Sequence, residues 1–297
     1  MSTTGMAVST STLATAPDTF TVTTADGNAL FVQHWRAEPA AGVEATGRAL
    51  FIIHGMGEHS SRYAHVPSAL SAKFTDVFAF DLRGHGRSTG IRGYAPSVDT
   101  LLNDIQACFD ASQQRLGPGD VVRWHVLGHS MGGLLTLRWL QTRRPTLAGA
   151  VISAPFLGVA LAVPAWKEKL GRVLLHTLPK VQLHNEINPS HISHDPAVVE
   201  AYVNDRLVHS KITSQLYFGL LAAIAAAKVD TRPLPCPSLF IVPLEDKLVD
   251  ARESLEFFRN LKDRAKTLRE YPGFYHESLN ELERAKVFTH ILEWVPS

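Results

Sequence analysis

Trp124-His125-Val126-Leu127-Gly128-His129-Ser130-Met131-Gly132-Gly133-Leu134 decides the fold. A short apolar run, a glycine-flanked serine and an amphipathic stretch to Leu140 follow one another, which predicts a strand, a sharp turn and a helix. Small residues two before and two after the serine, here Gly128 and Gly132, are what a strained strand-to-helix turn requires, because a side chain at either place would meet the other arm. The pattern G-x-S-x-G arises by chance in about one chain in ten of this length, given ordinary glycine usage. A second copy, Gly86-Arg87-Ser88-Thr89-Gly90, makes the point. Ser88 lies well past the run ending at Phe80, and Gly93 and Pro96 follow it, so only Ser130 has both a strand and a helix adjoining it. The start of that helix also adds partial positive charge and free N–H groups beside the hydroxyl.

Working outward, short β-branched or aromatic runs alternate with amphipathic stretches. That alternation predicts an α/β fold, a mostly parallel sheet of about eight strands with helices on both faces. Strands are expected at 20–23, 30–35, 49–53, 77–80, 124–127, 149–152, 239–242 and 268–271, the first two as a hairpin turning at Asp26-Gly27-Asn28. Helices are expected at 61–73, 98–115, 131–143, 251–261 and 280–294. Residues 155–233 break the alternation with helical patterns at 157–166, 170–178, 198–208 and 216–227, and Pro233, Pro235 and Pro237 mark the return to the sheet. The chain therefore divides into a mobile leader at 1–17, core segments at 18–154 and 234–297, and a helical cap at 155–233 over the edge where open α/β sheets bind ligands.

The 297 residues carry 29 Lys and Arg against 28 Asp and Glu, a net charge of +1, with no block of like charge, so nothing points to nucleic acid. A 45% apolar content suits a large core without staples. Cys108 and Cys236 are expected as buried free thiols in a reducing compartment. The first positive residue is Arg36 and the longest apolar run, 216–227, is too short to span a bilayer, so the expected setting is cytoplasmic, at most peripheral to a membrane.

A serine hydroxyl needs a base, and the base a carboxylate, in the chain order Ser, acid, His. His276 lies just past the last expected strand and His290 within the terminal helix, so His276 is the expected base. The acid is expected after the strand at 239–242, where Asp246 is preferred. Glu245 is the reserve, and Asp250 is expected to cap the next helix with Glu253 as its capping-box partner. The oxyanion of a tetrahedral intermediate needs two donors. Met131 N–H and Met56 N–H are expected, the latter from His54-Gly55-Met56-Gly57-Glu58-His59, where His54 and His59 help to fix the loop. His191, His194 and Asp195 read as a solvated loop, and no metal or other cofactor is expected.

These residues resemble the α/β-hydrolase superfamily, specifically its monoacylglycerol lipase and lysophospholipase branch, over roughly residues 18–295. The most specific match is His54 through Tyr63 against H-G-x-G-E-H-x-x-R-Y. Asp81 through Ser88, the elbow, and Tyr271 through Glu277 against Y-x-G-x-x-H-E agree as well. Position by position, the resemblance implies Ser130 nucleophile, Asp246 acid, His276 base, and Met56 and Met131 at the oxyanion. Pro243-Leu244-Glu245-Asp246 departs from the branch's frequent G-x-x-D. The expected function is a serine esterase acting on single-chain acyl esters, monoacylglycerols or lysophospholipids, with Leu157, Val159, Leu161, Leu220 and Leu221 of the cap lining the acyl site and the cap able to touch a membrane surface transiently. A general carboxylesterase, thioesterase, peptidase or acyltransferase would use the same triad, and a non-catalytic ligand-binding member of the fold is the remaining alternative.

Overall fold

The computed structural model describes residues 16–36, 47–117, 122–160, 164–185 and 187–296. All eight expected sheet strands form: β1 (Asp18–Thr23), β2 (Ala29–Arg36), β3 (Arg48–Ile53), β4 (Asp76–Phe80), β5 (Arg123–His129), β6 (Gly149–Ser153), and, after the insertion, β9 (Ser238–Pro243) and β10 (Lys266–Tyr271). They lie in the order β1-β2-β4-β3-β5-β6-β9-β10. In this sheet β2 runs opposite to the rest, pairing antiparallel with β1 and β4, while β4, β3, β5, β6, β9 and β10 pair in parallel. The β1–β2 hairpin turns where expected, with Gly27 at a φ of 81° that glycine adopts without strain.

Alternate residues of β3 divide between two apolar layers, Phe51 and Ile53 on one face of the sheet and Leu50 and Ile52 on the other. A parallel strand covered by helices on both sides reads as a continuous apolar run for that reason. The helices are α1 (Val66–Ala69), α2 (Val98–Leu116), α3 (Met131–Thr142), α4 (Ala165–Thr177), α5 (Pro196–Asn204), α6 (Ser214–Val229), α7 (Ala251–Asn260) and α8 (Arg284–Trp294). Side-chain caps start several of them: Ser97 accepts from Thr100 N–H at α2, Thr213 from Leu216 N–H at α6, and Asp250 from Arg252 N–H at α7.

Several expectations change. In place of one helix over 61–73, a 3-10 turn (Ser60–Tyr63) precedes the single turn of α1, where Pro67 sits at the helix start. Glu253 makes no capping box, because Gly158 O already accepts the Asp250 N–H and Glu253 pairs with Lys228 at 2.5 Å. The insertion also contains two short antiparallel strands, β7 (Gln182–His184) and β8 (Lys211–Thr213), too short to give a period in sequence. Residues 157–160 are not helical, and Val159 instead bridges Val249. The expected leader lies outside the described residues except for 16 and 17. Among the described residues, no helix is long and apolar enough to cross a membrane.

The sheet order places the site. β3 is followed in sequence by β4 on one side and in space by β5 on the other, so the loops leaving β3 and β5 flank the point where strand order reverses. Ile53 and Gly128 are register partners there, which sets the loop beginning at His54 beside the elbow at Ser130.

Candidate active site

Ser130 occupies φ 55°, ψ −119° between β5 and α3, a left-handed conformation costly for a side chain. Close packing enforces it. A Cβ on Gly128 would fall 2.5 Å from Gly132 O, and one on Gly132 would fall 2.5 Å from His54 O and closer still to Ile53 O. Both flanking glycines are therefore required by contact, as the turn chemistry predicts. Phe156 N–H and Leu134 N–H both donate to Ser130 O, tying the elbow to the strand exit after β6 and to α3.

His276 follows β10 across Pro272-Gly273-Phe274-Tyr275, and its Nδ1 lies 2.6 Å from Asp246 Oδ2. Asp246 Oδ1 accepts from Leu248 N–H at 2.8 Å and Val249 N–H at 2.9 Å, so the carboxylate is held at both oxygens. Pro243 ends β9 opposite Tyr271, which keeps the acid loop in register despite the departure from G-x-x-D. Burial works to raise the Asp246 pKa, but the His276 charge and these hydrogen bonds outweigh it and the net shift is downward. For His276, burial pulls downward and the Asp246 charge and hydrogen bond pull upward, with a net rise. Glu245 is exposed and makes a backbone contact to Phe274 O, while His290 sits in α8 with Nδ1 2.8 Å from Tyr271 OH.

The His276 ring lies 4.8 Å, centroid to centroid, from that of His129, the residue preceding Ser130. Burial drops the His129 pKa to about 4, so this neighbour stays neutral and leaves His276 as the titrating imidazole of the pair. Among the described residues neither Ser130 Oγ nor His276 Nε2 has a hydrogen-bond partner within the protein. Unliganded sites often leave such pairs to tighten on substrate.

The expected oxyanion donors flank the elbow. Met131 is the first residue of α3, where N–H groups lack partners within the helix. Gly55 approaches so closely that a Cβ there would fall 3.2 Å from Ser130 Cβ, and Met56 is the next residue. His54 Nε2 accepts from Leu82 N–H while Nδ1 lies 2.7 Å from Gly55 O, so this histidine links the loops after β3 and β4. His59 Nε2 reaches across to Asp205 Oδ2 at 2.8 Å.

Sequence reasoning did not find the ionic cluster behind this loop. Arg62 bridges two buried carboxylates, Glu58 at 2.8 Å and Glu277 at 2.6 Å. Its signal was present as three charged residues inside otherwise glycine-rich or aromatic turns. Of the expected acyl-site residues, Leu157 and Leu220 are buried in the main core cluster, Leu221 packs against it, Val159 is 38% exposed, and Leu161 lies outside the described residues. Asp195 caps α5 and His194 pairs with Glu281 at 2.9 Å, while a groove of about 470 Å³ lined by His194, Val199, Val203 and Tyr275 follows the side of α5.

A serine at a strained strand–helix elbow, with an imidazole–carboxylate pair at the same edge of an eight-stranded, mostly parallel sheet, defines an α/β hydrolase of the serine type. A family model described as "Serine aminopeptidase, S33" matches residues 44–283, and the chain belongs to that family. It is 32% identical to the human "Monoglyceride lipase" over 91% of this chain and 88% of that protein. It is 30% identical to "Phospholipase YtpA" of Bacillus subtilis over 86% and 95% of the two chains. The solved structure of Paleococcus ferrophilus monoacylglycerol lipase matches with a TM-score of 0.76 at 30% identity, covering 90% of this chain and 98% of that one. Two other curated relatives are longer: the chain spans 28% of a Dictyostelium discoideum protein and 46% of an Escherichia coli one.

Proposed function

We propose that the protein is a serine esterase that hydrolyses single-chain acyl esters, monoacylglycerols or lysophospholipids, through an acyl-enzyme on Ser130. The observation that carries this reading is the 2.6 Å His276–Asp246 pair beside the elbow. His276 Nε2 takes the Ser130 proton as Oγ attacks the ester carbonyl carbon, and the carbonyl oxygen gathers negative charge against Met56 N–H and Met131 N–H. The intermediate collapses as His276 returns the proton to the departing alcohol. Water, deprotonated by His276, then attacks the acyl-enzyme, and Ser130 leaves with its proton restored as the fatty acid is released.

Residues 155–233 act as the cap, supplying apolar surface for the acyl chain at about 0.8 kcal/mol per buried methylene. Trp166, Leu170 and Val173 of α4 are 64%, 46% and 54% exposed, which supports transient contact of the cap with a membrane surface. A cytoplasmic setting fits two buried cysteines that form no disulfide.

The family description favours one second reading, an aminopeptidase. Recognition of a free α-amino group calls for an available carboxylate, whereas the buried glutamates beside the oxyanion and base loops are committed, Glu58 and Glu277 to Arg62 and Glu281 to His194. The ester reading is the better supported for that reason. Turnover of p-nitrophenyl esters of rising chain length, beside aminoacyl p-nitroanilides, tests it: kcat/KM should rise beyond short acyl groups. An acetyl-restricted profile, or anilide cleavage exceeding ester cleavage, overturns it.

A further inference from the structure

We propose that Arg62 is a positioning residue that clamps the oxyanion loop to the base loop, so that the donor at Met56 and the base at His276 are held in register by one guanidinium. The inference rests on the proposed roles of those two residues. Arg62 lies on the 3-10 turn after β3. Its Nη1 donates to Glu58 Oε2 at 2.8 Å and to Glu277 Oε1 at 2.6 Å, and its Nη2 donates to Glu277 Oε2 at 2.7 Å. Each carboxylate in turn fixes one arm of the site. Glu58 Oε1 accepts from Gly55 N–H at 2.6 Å, one residue before the proposed donor, and from Tyr63 OH at 2.8 Å. Glu277 directly follows His276, takes a third bond from Asn280 Nδ2 at 2.8 Å, and donates its own N–H to Ile192 O of the insertion.

Burial makes the geometry stiff. Glu58, Glu277 and the Arg62 side chain are 4%, 6% and 9% exposed, and the Tyr202 ring of α5 covers the guanidinium at 4.8 Å. Two carboxylates and one guanidinium in so dry a place are costly to desolvate, and apolar packing would hold two loops together at lower cost. What apolar packing lacks is direction. A bidentate fork fixes distance and angle together, and a lysine's single point of charge cannot reproduce it. Without Arg62, two buried like charges would face each other and drive the loops apart.

The experiment compares Arg62→Lys and Glu277→Gln with wild type, with kcat expressed per active site titrated by a fluorophosphonate, well below each variant's melting temperature. A staple that only stabilises the fold would lower the melting temperature and the fraction of titratable sites, and leave kcat per site unchanged. A clamp on the reacting groups predicts kcat per site roughly 10- to 100-fold lower with KM within about threefold, as for a misplaced donor or base. Affinity for a trifluoromethyl ketone, whose adduct mimics the tetrahedral oxyanion, should fall in step with kcat, while affinity for a non-hydrolysable ether analogue holds. If kcat per site stays within about twofold of wild type in both variants, or both inhibitors weaken equally, the clamp is overturned. Wild-type protein that titrates no site overturns the reading of Ser130 itself, an outcome distinct from unchanged variants of an active enzyme.

Discussion

His276 Nδ1 and Asp246 Oδ2 are 2.6 Å apart in a contact nearly closed to water, the two side chains being 6% and 2% exposed. Because the base works in its neutral form and its pKa is raised, kcat/KM should fall as pH drops through a value above the ordinary 6.5. The charged pair also contributes stability that is fully present below the unfolded value of 6.5 and is lost as pH rises through the raised folded one. Asp246→Asn should therefore lower the melting temperature more at about pH 5 than at about pH 9. It should also move the acid limb of kcat/KM downward, since the two largest upward pulls on His276, the Asp246 charge and hydrogen bond, are then gone, and lower kcat roughly 10³- to 10⁴-fold, as expected when the imidazole loses its orienting carboxylate. A wild-type acid limb below the ordinary histidine value contradicts the assignment.

The strain at Ser130 separates stability from activity. Its φ of 55° suits glycine, so Ser130→Gly should be more stable than Ser130→Ala by roughly 1–3 kcal/mol, and both should lose fluorophosphonate labelling. Chemical denaturation of the two variants measures the difference. Equal stability would mean that the elbow stores no strain at this residue.

Two glycine-to-alanine changes should act in opposite senses. At Gly132 the new methyl would meet the Ile53 and His54 carbonyls, and Gly132→Ala should cost about 1–3 kcal/mol and push the oxyanion loop away from the elbow, with a loss of activity larger than the loss of stability explains. At Gly219, inside α6, the methyl would meet Val98 Cγ2 at an ordinary 3.6 Å, and Gly219→Ala should add about 0.4–1 kcal/mol with activity intact. Thermal melts and ester turnover of both variants decide it.

Ser88, in the second G-x-S-x-G, accepts from Phe31 N–H at 2.9 Å and donates to Asp81 O at 2.5 Å. Ser88→Ala leaves the half-buried Phe31 N–H and the buried Asp81 carbonyl without this partner and should cost about 1–3 kcal/mol while fluorophosphonate labelling persists. Loss of labelling in folded Ser88→Ala protein would mean that the wrong serine has been assigned.

Much of this was legible in one dimension. The eight sheet strands follow from short apolar or β-branched runs bounded by turn residues, continuous in buried strands such as β3 and alternating at the exposed edge strand β1, and Ser130 stands apart from Ser88 because a strand and a helix adjoin only one of them. The helix expected over 61–73 shrank to a 3-10 turn and the one-turn α1, and the β7–β8 pair escaped because strands of three residues are too short to establish a period. The capping box at Asp250 failed on competition: Gly158 O and Lys228, both distant in sequence, took the two groups it needed.

The order of residues along the chain determined the architecture, the elbow, and which histidine and carboxylate were in contention, since periodicity and turn sterics act over a few neighbours. Only the folded arrangement decided that Asp246 and not Glu245 meets His276, and that one guanidinium joins Glu58 to Glu277. Arg62 and Glu277 are 215 positions apart. A partner at that separation is selected by where the sheet delivers its loops and by what burial leaves without water, neither of which a local pattern records.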